Sequence, residues 1–222
     1  MPESRLNLKK DRIRRFFLNF EDSLKRKKKD EEIEEEITSG GLSYKQMRLP
    51  LEELTPDFIE KVKEKVDHNI FHAKIREAKE EDLDTVMQIY NKAWLTSRTP
   101  FSPITVESLK TIFDYQDTVI LIAKVYGQDA GFIMLDFEGK EKEYGIIAGL
   151  GILPRFQRKG LGTVLGMAAW NFFKDKKIKE LRCEVYVDNE ASYNFIKSLG
   201  FKECETKTYR MEDFNLEDRT SN

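Results

Sequence analysis

The sequence predicts an α/β fold: a mixed, largely antiparallel sheet of about six or seven strands flanked by helices on both faces. Three observations carry this. Strand-like apolar runs at 119–126, 131–137 and 146–153 follow one another with turn residues between them. The strand–helix–strand unit over residues 146–187 implies a right-handed crossover between parallel neighbours. Elsewhere, apolar residues recur every three or four positions, the period of an amphipathic helix.

Taken in order, Leu6, Ile13, Phe16, Phe17, Phe20 and Leu24 predict a helix over about 5–37, stopped before Ser39-Gly40-Gly41. A second helix, from about Pro56 to His68, carries Phe58, Val62 and Val66. A short strand is expected at 73–76. Leu83, Val86, Met87, Tyr90 and Trp94 then share one helix face, and Leu109, Ile112 and Phe113 another. The three strands follow, with hairpin turns expected at Gly127-Gln128-Asp129 and Glu138-Gly139-Lys140. A helix from about Gly160, a strand over 181–187, a helix over 189–199 and a last pair of strands from Phe201 and Lys207 complete the chain.

Charge divides the sequence unevenly. Of the first 72 residues 32 are charged, against 46 of the remaining 150. The step predicts a charged helical extension, 1–72, ahead of a conventional domain, 73–222. Residues 1–29 carry +7 and residues 30–36 carry −6, so the net charge of −2 conceals a cancellation. The balance argues against a globally basic nucleic-acid binder. The basic, aromatic face of the first helix fits a membrane surface or a nucleic-acid arm. Docking of the apolar stripe on the main domain or on a second copy is the plainer reading, the latter making a homodimer through the N-terminal helices, with partial disorder a further alternative.

No apolar run approaches the roughly 18–20 residues of a membrane span, and residues 1–10 lack the apolar core of an export signal, so a cytoplasmic setting is expected. Cys183 and Cys204 make neither a disulfide framework nor a four-thiolate zinc site. His68 and His72 have the i,i+4 spacing of metal ligands but no acidic or thiol cluster beside them in sequence, so no metal is expected.

The chemistry concentrates at the end of one strand, in Leu150-Gly151-Ile152-Leu153-Pro154-Arg155-Phe156-Gln157-Arg158-Lys159-Gly160-Leu161-Gly162-Thr163. A strand runs into a loop and then into a helix whose first turn is rich in glycine and preceded by two cations. A helix N-terminus offers unpaired N–H groups and positive potential, which suit phosphate oxygens. Gly160 and Gly162 would permit close approach; packing or capping glycines are the plainer alternative. The Gly-x-x-x-x-Gly-Lys-Ser/Thr pattern of a nucleotide P-loop is absent.

Gln157-x-x-Gly160-x-Gly162 after strand and proline resembles the acyl-CoA signature of the GNAT N-acetyltransferase superfamily. Asn189, Ser192 and Gly200-Phe201 follow in matching order. The resemblance covers about 73–214 and leaves 1–72 without a counterpart. It implies the α+β fold of that family, acetyl-CoA as donor and a primary amine as acceptor. It also implies that Leu150, Gly151 and Ile152 pair through their backbone with the pantetheine arm, along an edge left free by two splayed parallel strands. Arg158, Lys159, Gly160, Leu161, Gly162 and Thr163 would hold the diphosphate. Asn189 would touch the pantetheine, or simply cap its own helix.

Acetylation of an amine requires loss of a proton from an ammonium of pKa about 10.4, which at pH 7 costs about 4–5 kcal/mol. Strand alternation puts Arg182, Glu184 and Tyr186 on one face. Glu184, five residues before Asn189, resembles the glutamate base of bacterial ribosomal-protein N-terminal acetyltransferases; a surface pair with Arg182 or Lys177 is the plainer reading. The tyrosine that many members carry four residues before Gly-Phe is Ile196 here. Tyr193, one turn earlier, is the candidate acid, with Tyr209, Tyr186 and Cys204 behind it. Trp94 and Phe101 would line an acceptor slot beside the loop 95–103, with core packing the plainer role for Trp94. The Glu184 match tilts the acceptor toward a protein or peptide amine over a small molecule. The missing tyrosine leaves open an acetyl-CoA-binding sensing or assembly module with little turnover.

Overall fold

The computed structural model describes residues 41–99, 103–210 and 213. The helix expected over 5–37, any dimer it would mediate, and Phe101 of the acceptor loop lie outside the described residues.

Seven strands form one sheet: β1 (Leu42–Pro50), β2 (Lys74–Glu77), β3 (Val119–Val125), β4 (Gln128–Glu138), β5 (Tyr144–Ile152), β6 (Glu180–Tyr186) and β7 (Lys202–Tyr209), in the order β2-β3-β4-β5-β6-β1-β7. Every neighbouring pair is antiparallel except β5–β6. Among the described residues five helices cover it: α1 (Pro56–Asp67), α2 (Leu83–Trp94), α3 (Val106–Phe113), α4 (Leu161–Phe173) and α5 (Glu190–Ser198).

The boundary expected at residue 72 is corrected by β1. This strand is interior, paired with β6 on one side and β7 on the other. Its polar and charged residues sit between Leu42, Met47 and Leu49, which are buried, so composition averaged over 72 residues concealed a strand. The last pair of strands is likewise one continuous strand. Lys-Glu-Cys-Glu-Thr-Lys-Thr-Tyr contains no turn residue, and the partner that a hairpin would have supplied is β1.

Local chemistry explains the ends. Thr55 caps α1 through its hydroxyl on the Phe58 N–H, with Pro56 at the first helical position. Thr105 and Ser108 form a capping box at α3. Tyr126 and Gly127, both at positive φ, make the tight β3–β4 turn.

Gly131 faces Leu165 of α4, where a Cβ would lie 3.2 Å from it, while the next residue, Phe132, packs against Tyr90 of α2. Helices α4 and α2 therefore lie on opposite faces, and β4 is buried on both, with Ile133, Met134 and Leu135 all but inaccessible. Helix α1 packs on α4, above Leu49 and Leu181.

Candidate active site

The parallel pair β5–β6 begins in register and then separates. Tyr144, Gly145, Ile146 and Ile147 pair with Glu180, Leu181, Arg182 and Cys183, after which no β5 residue pairs with β6. Strand β6 stays paired with β1 along its whole length, where Gln46 faces Glu184 and Tyr44 faces Tyr186. Strand β5 stays with β4 but shifts register: Met134 pairs with Gly149 and Leu135 with Ile147. Ala148 is thus a bulge, which bends the strand where the split opens. Among the described residues, the backbone of 148–152 has no strand partner on its β6 side.

A cavity of about 560 Å³ occupies the split. It is lined from both faces of the sheet. From the α4 and α5 side it is lined by Asn189, Ser192, Phe195 and Ile196; from the α2 side by Trp94, Thr99, Tyr44, Gln46, Glu184 and Tyr186. Leucine 150 sits on its rim.

Glu184 projects on the α2 face, opposite to Leu181 and Cys183, which point toward α4. It does not pair with Arg182. That guanidinium bonds to Glu180 and lies 3.4 Å over the Tyr144 ring. Instead Glu184 Oε1 accepts a hydrogen bond of 2.6 Å from the Tyr209 hydroxyl at the end of β7. Beside it Tyr44 packs edge-on to Tyr186, with ring centroids 5.5 Å apart. Burial, and then the negative charge of neighbouring groups including Glu184, push the Tyr44 phenol above its usual range, so it stays protonated at neutral pH.

Tyr193 does not line the cavity, which corrects its assignment as the acid. Its hydroxyl donates to Glu203 at 2.8 Å, and its ring lies under the Lys45 ammonium, 4.0 Å from the centroid. Ile196, in the position of the expected tyrosine, is buried on the cavity wall. Asn189 caps its own helix and also faces the cavity. Its Oδ1 caps α5 by accepting from the Ser192 N–H, its Nδ2 donates to Thr99 at 2.8 Å, and it lines the cavity. Trp94 lines the cavity while stacked on Tyr90 at 4.2 Å.

Beyond the cavity, β5 runs into the glycine-rich loop. Gly151 lies against the Phe132 ring, where a Cβ would come within 2.5 Å. Gln157 ties the loop to the strand by donating from Nε2 to the Ile152 carbonyl at 2.9 Å. Arg158 and Gly160 both have positive φ, at 56° and 84°. Gly160 is the N-cap of α4 and leaves that terminus without a side-chain cap. Arg158, Lys159 and Gly160 are exposed, whereas Leu161 is buried beneath them; Gly162 and Thr163 are half-buried in the first turn. A Cβ on Gly162 would touch the Phe195 ring at 3.0 Å, so that glycine also brings α4 and α5 together. The terminus therefore presents N–H groups and cations outward over an apolar first turn, an arrangement suited to an anion. Among the described residues no cluster of three or more His, Cys, Asp or Glu side chains could hold a metal ion.

Residues 83–201 match the profile of the acetyltransferase (GNAT) family. The chain belongs to this family. It is an acyltransferase that acetylates amines. An N-alpha-acetyltransferase of Sulfurisphaera tokodaii is 29% identical over 150 residues, covering 63% of this chain and 86% of that protein. The PaiA N-acetyltransferase of Thermoplasma acidophilum, solved in complex with coenzyme A, superposes with a TM-score of 0.51 at 24% identity, covering 62% of this chain and 99% of that one. The ribosomal-protein-S18-alanine N-acetyltransferase of Escherichia coli gives a TM-score of 0.51 at 19% identity, covering 60% and 79%. These two structures share the fold.

Tyr44, Gln46 and the bond from Tyr209 to Glu184 escaped the sequence reading as parts of the site. Tyr44 and Gln46 belong to a strand that went unrecognised. The pairing of Tyr209 depends on β1 setting β7 at the right distance from β6.

Proposed function

We propose that the chain transfers the acetyl group of acetyl-CoA to a protein or peptide amine, with Glu184 as base. The observation that carries this reading is the split between β5 and β6, with an unpaired strand edge on one lip and Glu184 on the other. The backbone of 148–152 offers amide groups to the pantetheine arm, as a strand offers them to an added strand. Arg158, Lys159 and the N–H groups of Gly160, Leu161, Gly162 and Thr163 suit the diphosphate. The acceptor enters from the α2 face, where Glu184 takes its proton. The amine lone pair attacks the thioester carbonyl, the C–S bond breaks, and the departing thiolate takes a proton. Tyr44 is the protonated hydroxyl beside Glu184 on the cavity wall and supplies that proton in this reading. The similarity to an N-alpha-acetyltransferase over most of that protein's length supports a peptide acceptor.

Thiol release from acetyl-CoA, followed with a panel of peptides, polyamines and amino sugars, tests the proposal. Peptide-dependent release is expected. Release with small amines alone overturns the peptide acceptor, and CoA binding without release on any acceptor makes the protein a binding module. Gly160→Glu places a carboxylate at the helix terminus and is expected to abolish CoA binding; unchanged affinity in the folded variant refutes the diphosphate assignment.

A further inference from the structure

The loop before α4 is held in an unusual shape from outside. Arg158 lies in the left-handed region although it has a side chain, and Gly160 lies there two residues later. Such a conformation persists where surrounding structure dictates it. The Lys159 carbonyl, which lies between these two residues, accepts a 2.9 Å hydrogen bond from Nδ2 of Asn69, ninety positions earlier.

Asn69 is itself fixed on every polar group. It follows the C-terminus of α1, where its N–H donates to the Val66 carbonyl at 3.0 Å and its carbonyl accepts from the His72 N–H at 3.2 Å. Its side-chain Oδ1 accepts from the Phe71 N–H at 3.0 Å. It is 7% exposed, one of four buried polar or charged side chains among the described residues. Its amide also stands where a side chain on Gly160 would have to go: a Cβ there would lie 2.4 Å from Nδ2. The absent side chain of Gly160 thus serves the approach of Asn69 and leaves the outward face of the loop free.

We propose that Asn69 is a positioning residue for the diphosphate site: it fixes the Lys159–Gly160 peptide so that the N–H groups of the loop and of the first turn of α4 converge on one anion. The proposal rests on the acetyl-CoA reading above. It also assigns a role to α1, which packs along α4 and leads into Asn69: this segment orients the cofactor loop from the rear. A backbone amide oriented in advance loses less freedom on binding than a mobile one, so removal of the hold weakens affinity without removing a contact.

The test compares wild type with Asn69→Ala and with Asn69→Ser, which can still accept from the Phe71 N–H but falls short of Lys159. CoA affinity is measured by titration calorimetry. Turnover is measured as kcat/KM with acetyl-CoA and with S-acetylpantetheine, a donor that lacks the diphosphate. Both variants are expected to bind CoA about tenfold or more weakly and to lose kcat/KM with acetyl-CoA by a similar factor, while kcat/KM with S-acetylpantetheine stays within twofold. Unchanged CoA affinity in either folded variant overturns the proposal. So does an equal loss with both donors, which marks a general packing role. Failure of the wild-type chain to bind CoA sinks the acetyl-CoA reading itself, a result distinct from wild-type binding that Asn69 does not influence.

Discussion

Glu184 stands on the lip of the split with two phenols close by: the Tyr209 hydroxyl bonded to its carboxylate and Tyr44 in the cavity wall. Below the pKa of the acceptor the amine carries a proton that a base must remove; near pH 10 solvent removes it unaided. Glu184→Gln is therefore expected to lower kcat by roughly 10²–10⁴-fold at pH 7, with a deficit that shrinks as pH rises toward 10. A pH–rate profile parallel to wild type removes Glu184 as base. Tyr44→Phe keeps the ring and its packing and deletes the hydroxyl. A thiol of pKa about 8.5 is already a fair leaving group, so the expected loss is smaller, about tenfold in kcat, with KM little changed. An unaltered kcat assigns the proton to solvent. Glu184 was legible in the sequence because strand alternation places it on one face. Tyr193 misled because its nearness in sequence to the family's tyrosine position hides a rotation around the helix, which turns it toward Glu203 and β1.

At the scale of elements, β2 is held to the turn that opens α2 by one ion pair. Both Arg76 guanidinium nitrogens reach the Asp82 carboxylate, at 2.6 and 2.8 Å, and one continues to Asp129 at 3.2 Å. Asp82 also accepts from the Lys79 N–H at 2.8 Å. The Arg76 guanidinium first, and the Lys79 backbone after it, hold the Asp82 carboxyl down to about 2. A depressed carboxylate stabilises the fold above its unfolded pKa of about 3.9, and that stability is lost as pH falls through the native value. Arg76 is 37% exposed, so solvent screening trims the gain to about 1–2 kcal/mol. Denaturant unfolding should show stability dropping by that amount between pH 4 and pH 2, and Asp82→Asn should remove it at neutral pH. A variant whose acid titration matches wild type would assign the loss to other carboxylates. Of the elements in 73–222, most were legible within two residues, since each carries an uninterrupted period of two or of 3.6. Strand β1 was not, because Tyr44, Lys45, Gln46 and Arg48 sit between its buried residues and half of the strand lines a polar cavity.

The whole molecule depends on that strand. Among the described residues, strand β7 pairs with β1 alone, and so does the outer half of β6, which bears Glu184. A chain shortened to 73–222 loses β1, α1 and Asn69 together. It exposes the apolar side of Leu181, Phe201 and Met167 and leaves β7 and the outer half of β6 without strand partners. Such a chain is expected to lack a cooperative unfolding transition by calorimetry and to release no thiol from acetyl-CoA. A stably folded, active 73–222 would restore the boundary that composition suggested. Charge excess cannot mark that boundary, because a strand at the centre of a sheet still exposes alternate residues to a polar cavity.

The sequence by itself determined the local matters: the period of most elements, the parallel crossover, the glycine-rich turn onto α4 and the face that carries Glu184. Each follows from residues adjacent along the chain, where backbone geometry fixes direction. Tertiary structure alone decided what joins distant residues. It placed β1 between β6 and β7, directed Tyr209 onto Glu184 and Tyr193 away from it, and set Asn69 beneath Gly160. These depend on sheet order and side-chain reach, and no spacing within the chain encodes which strand will fill a gap that two others leave.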